Sequence, residues 1–334
     1  MNDLALYSRL VQLRQPICVV AMALFASALL TPVYAQTYPT KQIKMLAGFG
    51  AGSGSDVMVR QVSAQMATVL GQSLAVENKP STGSIGLLTD AAKAPADGYT
   101  LLAVDNGVLV MNSAIYKKLP YDPAGFTPIG VMARAPLMLV ANPAAGFKHV
   151  RDMLEKAKTP PNKLAYASPG TGSPFHVAME VLKNRAGVPF VRVPFGSDAA
   201  ALKDVLAGQV DLTVIDLPSA LPHIKSGKLQ VLATFSNRRV SAAPDAPAIN
   251  ELGFKDAEAY LWQSLIVSAA TPKEVQSRLT QAMQTAMSQS AVRKNLTDNG
   301  WEVLASDAGL TNAFITADSR VWHKVIKEAG IFVD

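Results

Sequence analysis

The stretch IKMLAGFGAGSGSDVMVRQVSAQMATVLGQSLAVENKP, residues 43–80, holds one complete strand–turn–helix–strand unit. Residues 43–47 form an apolar run of strand length, and a glycine-rich turn follows. Residues 56–70 carry helical spacing, and 74–76 read as the next short strand. The alternation continues along the chain. Further strands are predicted at 100–104, after the Asp97-Gly98 turn, and at 137–141, 163–167, 190–193, 212–215 and 229–234, with helical segments between most of them. Short buried strands alternating with helices predict an α/β protein with mostly parallel sheets covered by helices on both faces.

Composition supports a large core. Of 334 residues, 49% are hydrophobic and only 17% charged, which excludes global disorder. The chain opens like an exported protein. Arg9 and Arg14 give a positive start, residues 17–30 are apolar and uncharged, and Val33 and Ala35 precede Gln36. That pattern predicts a signal peptide, residues 1–35, and a periplasmic mature protein. A membrane anchor is the rival reading, but the run is short of the about 20 residues that span a bilayer. Cys18, the single cysteine, falls inside this leader, so the mature chain is expected to have neither a disulfide nor a thiol nucleophile. Cleavage removes two basic residues and one acid, which takes the net charge from +6 to +5. This balance suits an anionic ligand or an ordinary mixed surface equally. Basic residues are not gathered into a stripe with aromatics, so nucleic acid is excluded as a partner.

Two turns stand out, because ligands in open α/β sheets sit beyond the carboxyl ends of the strands. The first is Gly48-Phe49-Gly50-Ala51-Gly52-Ser53-Gly54-Ser55-Asp56. Glycine lets backbone approach a ligand closely, and the N–H groups of the next helix point into that space. Asp56 either caps the helix or reaches the ligand. The second is Ser168-Pro169-Gly170-Thr171-Gly172-Ser173-Pro174-Phe175-His176. Ser173 fits an N-cap and Pro174 the first helical position, leaving Ser168 and Thr171 to face the cleft. His176 either packs internally or touches the ligand. These turns predict two lobes facing one cleft, each offering a helix N-terminus to the same anionic group. A cavity shared by Ser53 and Thr171 is the expected sign.

Catalytic patterns fail in the same stretches. The dinucleotide fingerprint needs a glycine where Ser53 or Ser55 stands. Phosphate-loop and nucleophile-elbow motifs are absent, and His149, His176, His223 and His323 have no metal-ligand spacing. No cofactor, metal or catalytic residue is expected. An exported enzyme built on a carboxylate pair, Asp56 with Asp216, is the rival from another class. Elsewhere, Val275, Leu279, Met283 and Met287 recur every four residues, and they, like Trp322 and Val325, are expected to be core.

Read in order, these segments resemble the Bug (TctC-like) substrate-binding proteins of tripartite tricarboxylate transport systems. The likeness runs from Tyr38-Pro39-Thr40-Lys41 through the first turn to Val59-Arg60, Leu70-Gly71-Gln72, Val76-Glu77-Asn78-Lys79-Pro80 and Asp97-Gly98-Tyr99-Thr100-Leu101-Leu102. It continues through the second turn, Val193-Pro194-Phe195, Gly208-Gln209-Val210-Asp211 and Ile224-Lys225-Ser226-Gly227-Lys228-Leu229 to Trp262 and Thr271-Pro272. The resemblance implies a two-lobed, flytrap-type periplasmic-binding-protein fold with two crossover strands. It places lobe I at 36–138 plus 237–334 and lobe II at 139–236. It also implies that the glycine turns grip a ligand carboxylate. First-turn contacts then fall on Phe49, Gly50, Ala51, Gly52, Ser53, Gly54, Ser55 and Asp56. Second-turn contacts fall on Ser168, Gly170, Thr171, Gly172, Ser173 and His176. Phe195 and Asp216 lie beside the expected pocket.

Two departures bear on the ligand. The family's Pro-Phe-x-Pro-Gly-Gly turn has Gly48, Ala51 and Ser53 in place of both prolines and one glycine. Its Tyr-Lys-Gly after Val-Pro is Phe195-Gly196-Ser197 here. Without that lysine, a mono- or dicarboxylate, with an apolar or aromatic body allowed, is expected over a tricarboxylate. The expected protein is a monomer that closes on its ligand and passes it to the membrane subunits of a tripartite tricarboxylate-type transporter. Presentation of the bound ligand to a histidine kinase is the alternative.

Overall fold

The computed structural model describes residues 38–159, 164–254 and 257–333. The expected leader, 1–35, lies outside the described residues. Residues 38–40 close a first compact unit and contain a cis Tyr38–Pro39 peptide; the second unit begins at Lys41. Everything below concerns that second unit.

Strand β1 (Ile43–Ala47) leads through the first glycine turn into helix α1 (Gly54–Leu70). The helix buries Met58, Val59, Val62, Met66 and Leu70, one stripe at intervals of three and four. Gly71, at φ 70°, ends it in the left-handed conformation that glycine adopts without a Cβ clash. Strand β2 (Leu74–Asn78), helix α2 (Ile85–Ala91) and strand β3 (Thr100–Asp105) follow. β1 pairs in parallel with both β2 and β3. A π-helical turn, Gly107–Met111, and helix α3 (Asn112–Ile115) then lead to strand β4 (Phe126–Ala141).

β4 joins the two halves. Its first part, 126–136, pairs antiparallel with strand β9 of the first sheet, while 137–141 pair with strands β7 and β8 of a second sheet. The second sheet is built from helix α4 (Val150–Lys158), strand β5 (Ala165–Ser168), helix α5 (Pro174–Ala186), strand β6 (Val191–Pro194), helix α6 (Asp198–Leu206), β7 (Leu212–Asp216), helix α7 (Leu217–Lys225) and β8 (Gln230–Thr234). The chain crosses back before β9 (Tyr260–Ser268). At the crossing, Phe235 N–H donates to Leu137 O, Leu137 N–H to Ala259 O and Ala259 N–H to Phe235 O. Helices α8 (Lys273–Ser288) and α9 (Ser290–Asp298), strand β10 (Glu302–Val303) and helix α10 (Ala308–Ala329) complete the first half. Each half has its own apolar core. Leu46, Leu88, Leu102 and Ile266 pack together in the first, and Met138, Val140, Leu202, Val205 and Ile215 in the second.

The α/β alternation read from the sequence is present, with differences. α1 begins at Gly54 rather than at 56, because Ser53 is its cap. β5 and β6 each lie one or more residues further along than expected, and Lys163 is outside the described residues. The largest difference is β4, which begins at Phe126 rather than 137. Pro128, Gly130 and Pro136 break the strand signal there. The strand survives through register shifts after Pro128 and Val131, and Gly130 admits a close neighbour. A Cβ on Gly130 would lie 2.2 Å from the Ser306 carbonyl oxygen. Leu279, Met283, Met287, Trp322 and Val325 are core as expected, whereas Val275 is only partly buried.

Candidate functional site

A cavity of about 50 Å³ lies between the halves. The first half contributes Phe49, Ser55, Ser84, Asp105, Gly107 and Gln263 to its wall, and the second half contributes Gly172, Ser173, Phe175, Ser197 and Asp198. Both turns singled out in the sequence therefore reach one cavity, through Phe49 and Ser55 on one side and Gly172 and Ser173 on the other. Ser53 and Thr171, the expected pair, do not share it. Ser53 and Gly54 face a separate groove of about 360 Å³ against α6, α7 and α9. Thr171 Oγ1 accepts a 2.8 Å hydrogen bond from Arg192.

The amides of Gly50, Gly52, Gly54 and Asp56 in the first turn are occupied by the protein itself. Gly50 N–H donates to Asp198 Oδ1 at 3.2 Å, and Gly54 N–H to Ser219 Oγ at 2.9 Å; both bonds cross between the halves. Gly52 N–H donates to Asp56 Oδ2 at 2.9 Å, and Asp56 N–H to Ser53 Oγ at 3.3 Å. These four amides are therefore not held open for a ligand carboxylate, contrary to the expectation for them. Two internal carboxylates, those of Asp198 and Asp56, and the hydroxyls of Ser219 and Ser53 already accept from them. Ala51 is exposed at the tip of the turn.

Asp56 is buried and away from the cavity wall. It accepts from Gly52, from Arg60 Nε at 3.0 Å and from Asn78 Nδ2 at 2.8 Å. Burial works to raise its pKa, but these donors outweigh it and hold the carboxyl below its usual value. Asp216 is fully buried and caps α7, accepting from the N–H and Oγ of Ser219, each at 2.9 Å. Burial, and then the nearby Asp198, push it up to about 7. Asp56 and Asp216 thus have separate structural duties and do not meet as a catalytic pair.

The second turn is built as its sequence indicates. Ser173 caps α5, accepting from His176 N–H at 3.2 Å, and Pro174 occupies the first turn of the helix. Gly170 accepts from Ser173 Oγ at 3.2 Å and, at φ 119°, takes a conformation open to glycine. His176 is 5% exposed and does not line the cavity; its Nδ1 accepts from Gly172 N–H at 3.3 Å. Burial, reinforced by Arg192, lowers its pKa to about 4. Ser168 is buried behind the wall, and Phe195 packs on the core of the second half.

Residues the sequence reading missed are the acids and the amide of the wall. Asp105 ends β3 and accepts from Val108 N–H at 3.3 Å. Burial raises it to about 6, with Asp198 adding to the effect. Asp198 opens α6, accepts from Gly50 and Ala199, and is likewise raised by burial. Gln263 donates from Nε2 to Ser55 Oγ at 2.8 Å and leaves its buried Oε1 without a partner. The one sequence signal for Asp198 was its position just after the missing family lysine. No Lys, Arg or His lines the cavity. Among the described residues, no three His, Cys, Asp or Glu side chains gather for a metal, and no helix is long and apolar enough to cross a membrane.

Known proteins share this architecture. A UPF0065 protein of Bordetella pertussis is 32% identical, covering 86% of this chain and 87% of its own. The periplasmic binding protein BugD superposes with a TM-score of 0.83 at 29% identity, over 88% of this chain and 99% of its own. The R. palustris protein Rpa4515, solved with adipate, superposes with the same TM-score at 28% identity, over 88% of this chain and 98% of its own. The structural neighbours are binding proteins and not enzymes, and they give the fold two lobes. Residues 58–331 match the sequence model for the tripartite tricarboxylate transporter family receptor, TctC, and the chain belongs to that family.

Proposed function

We propose that this chain is a periplasmic solute receptor that captures a small mono- or dicarboxylate in the cavity between its halves and delivers it to a tripartite tricarboxylate-type transporter. The observation that carries the reading is the meeting of the two glycine turns, Ser55 and Gly172-Ser173, on one cavity at the carboxyl ends of the strands. Support comes from the family and from the adipate held by Rpa4515. The leader, 1–35, directs export. The two halves are the lobes; the expected boundary at 138/139 falls just inside the second sheet, which β4 enters at Leu137, and the lobes close about the crossing at Leu137, Phe235 and Ala259. The protein acts as a monomer. A wall without Lys, Arg or His disfavours three carboxylates, since nothing there balances their charge.

The N-terminus of α5 supplies the anion's partners. Pro174 has no N–H, and those of Gly172 and His176 are committed within the turn, so the groups offered to the anion are the Ser173 hydroxyl and the N–H groups of Ser173 and Phe175, which line the cavity; hydrogen bonds to a charged acceptor are worth about 1.5–3 kcal/mol each. The test is calorimetry on residues 36–334 with aliphatic and aromatic mono-, di- and tricarboxylates. Micromolar binding of a mono- or dicarboxylate, lost in Gly172→Val, is expected. If no carboxylate-bearing compound binds, the reading fails.

A further inference from the structure

We propose that the ligand also carries a protonated amine, so that the cavity takes a small aliphatic amino acid whose ammonium group sits against Asp105, Asp198 and Gln263. This rests on the carboxylate reading above and adds the second end of the molecule. Two acids face the same cavity from opposite halves, with no cation in the wall to balance them. Asp198 is buried and Asp105 half-buried, and Asp198 weakens the ionisation of Asp105. Two like charges on one cavity wall are unfavourable unless a proton or a cation joins them.

A separate observation selects a hydrogen-bond donor. Gln263 is 1% exposed, and its Nε2 is committed to Ser55 Oγ. Its Oε1 is a buried acceptor with no partner, and such a group gains most when a donor reaches it. An ammonium offers three N–H donors on one positive atom and matches two carboxylates and one amide oxygen. Gly107 lines the same wall without a side chain; a Cβ there would stand 2.9 Å from Asp105 Oδ1 and 3.0 Å from Pro174 Cδ. The glycine therefore keeps the path from Asp105 to the α5 turn clear. The ammonium lies at the acidic wall and the carboxylate at Ser173.

The test uses residues 36–334 and compounds of two to six carbons matched in length: α-amino acids and ω-aminoalkanoates against alkanoates, dicarboxylates and diamines, with calcium as a separate arm. Calorimetry is expected to show one amino acid bound at least about tenfold more tightly than the dicarboxylate of its length. Asp105→Asn, Asp198→Asn and Gln263→Leu are each expected to weaken the amino acid by about tenfold or more relative to the alkanoate and dicarboxylate measured on the same variant. Melting curves check that each variant folds, and any one folded variant suffices. A dicarboxylate or alkanoate that binds as tightly as every amino acid, indifferent to the substitutions, overturns the inference and leaves the carboxylate reading standing. A diamine that binds as tightly as the amino acid overturns both. Calcium binding without amino-acid binding, or no amino-acid binding at all, overturns the inference.

Discussion

The carboxylate of Asp198, in the second half, accepts the backbone N–H of Gly50, in the first, at 3.2 Å. An aspartate thus occupies amide positions that would otherwise suit a bound anion, and it ties the halves together beside the cavity. Gly54 N–H adds a second tie to Ser219 Oγ. Both ties depend on glycine, since only a bare backbone comes this close.

Gly54→Ala tests that closeness. Its Cβ would lie 2.7 Å from Pro218 Cβ and 2.9 Å from the Ser219 backbone nitrogen, across the interface. Alanine is otherwise favoured within a helix, so the first half itself is not harmed. The methyl acts as a wedge that keeps the halves apart, and overpacking of this kind costs about 1–3 kcal/mol. Ligand affinity is expected to fall by about tenfold or more with little change in melting temperature, and small-angle scattering is expected to show a larger radius of gyration. An unchanged affinity would refute the wedge.

Stability in the absence of ligand is expected to decline as pH rises. Asp105 and Asp216 have native pKa values of about 6 and about 7, above the 3.8 of the free side chain. Between 3.8 and those values the native state holds more protons than the unfolded one, so their stabilisation is complete below pH 3.8 and lost as pH climbs through 7. His176 acts oppositely. Its native pKa of about 4, below 6.5, makes stability rise with pH over that interval. Above pH 6.5 only the acids remain, so melting temperature should drop from about pH 6.5 to about 7.5. Asp216→Asn should remove most of that drop, and a drop identical to the wild type would contradict the assignment.

His176 is expected to stay neutral down to about pH 5, with its proton on Nε2, because Nδ1 accepts from Gly172. Nitrogen chemical shifts of the labelled ring check both points. His176→Ala leaves the Gly172 N–H unpaired in a buried turn, at a cost of about 1–3 kcal/mol. Its melting temperature should fall, and ligand affinity with it, since Gly172 belongs to the cavity wall.

Gly130→Ala is expected to destabilise the protein by about 3 kcal/mol. The new Cβ would stand 2.2 Å from Ser306 O and 2.4 Å from Met283 Cε, and the first of these is backbone and yields poorly. Urea unfolding measures it. A loss under about 1 kcal/mol would show that the 304–307 segment moves aside.

The amino-acid sequence by itself determined the local pieces: the Ser173-Pro174 helix start, the Gly71 stop, the buried stripe of α1 and the alternation of strand and helix. Each follows from neighbours within a few residues, where side-chain chemistry and backbone preference act directly. The ordered motifs also identified the family. Tertiary structure alone decided which amides remain for a ligand and what charge the cavity carries. Asp198 reads locally as an ordinary acid at a helix start, and Asp105 as an acid ending a strand. Only the folding of the chain across a separation of 148 residues brings Gly50 to Asp198. The shared space between the halves then makes two locally ordinary side chains the acids of one wall, because residues far apart in sequence meet there and partial burial holds their pKa values above the free value.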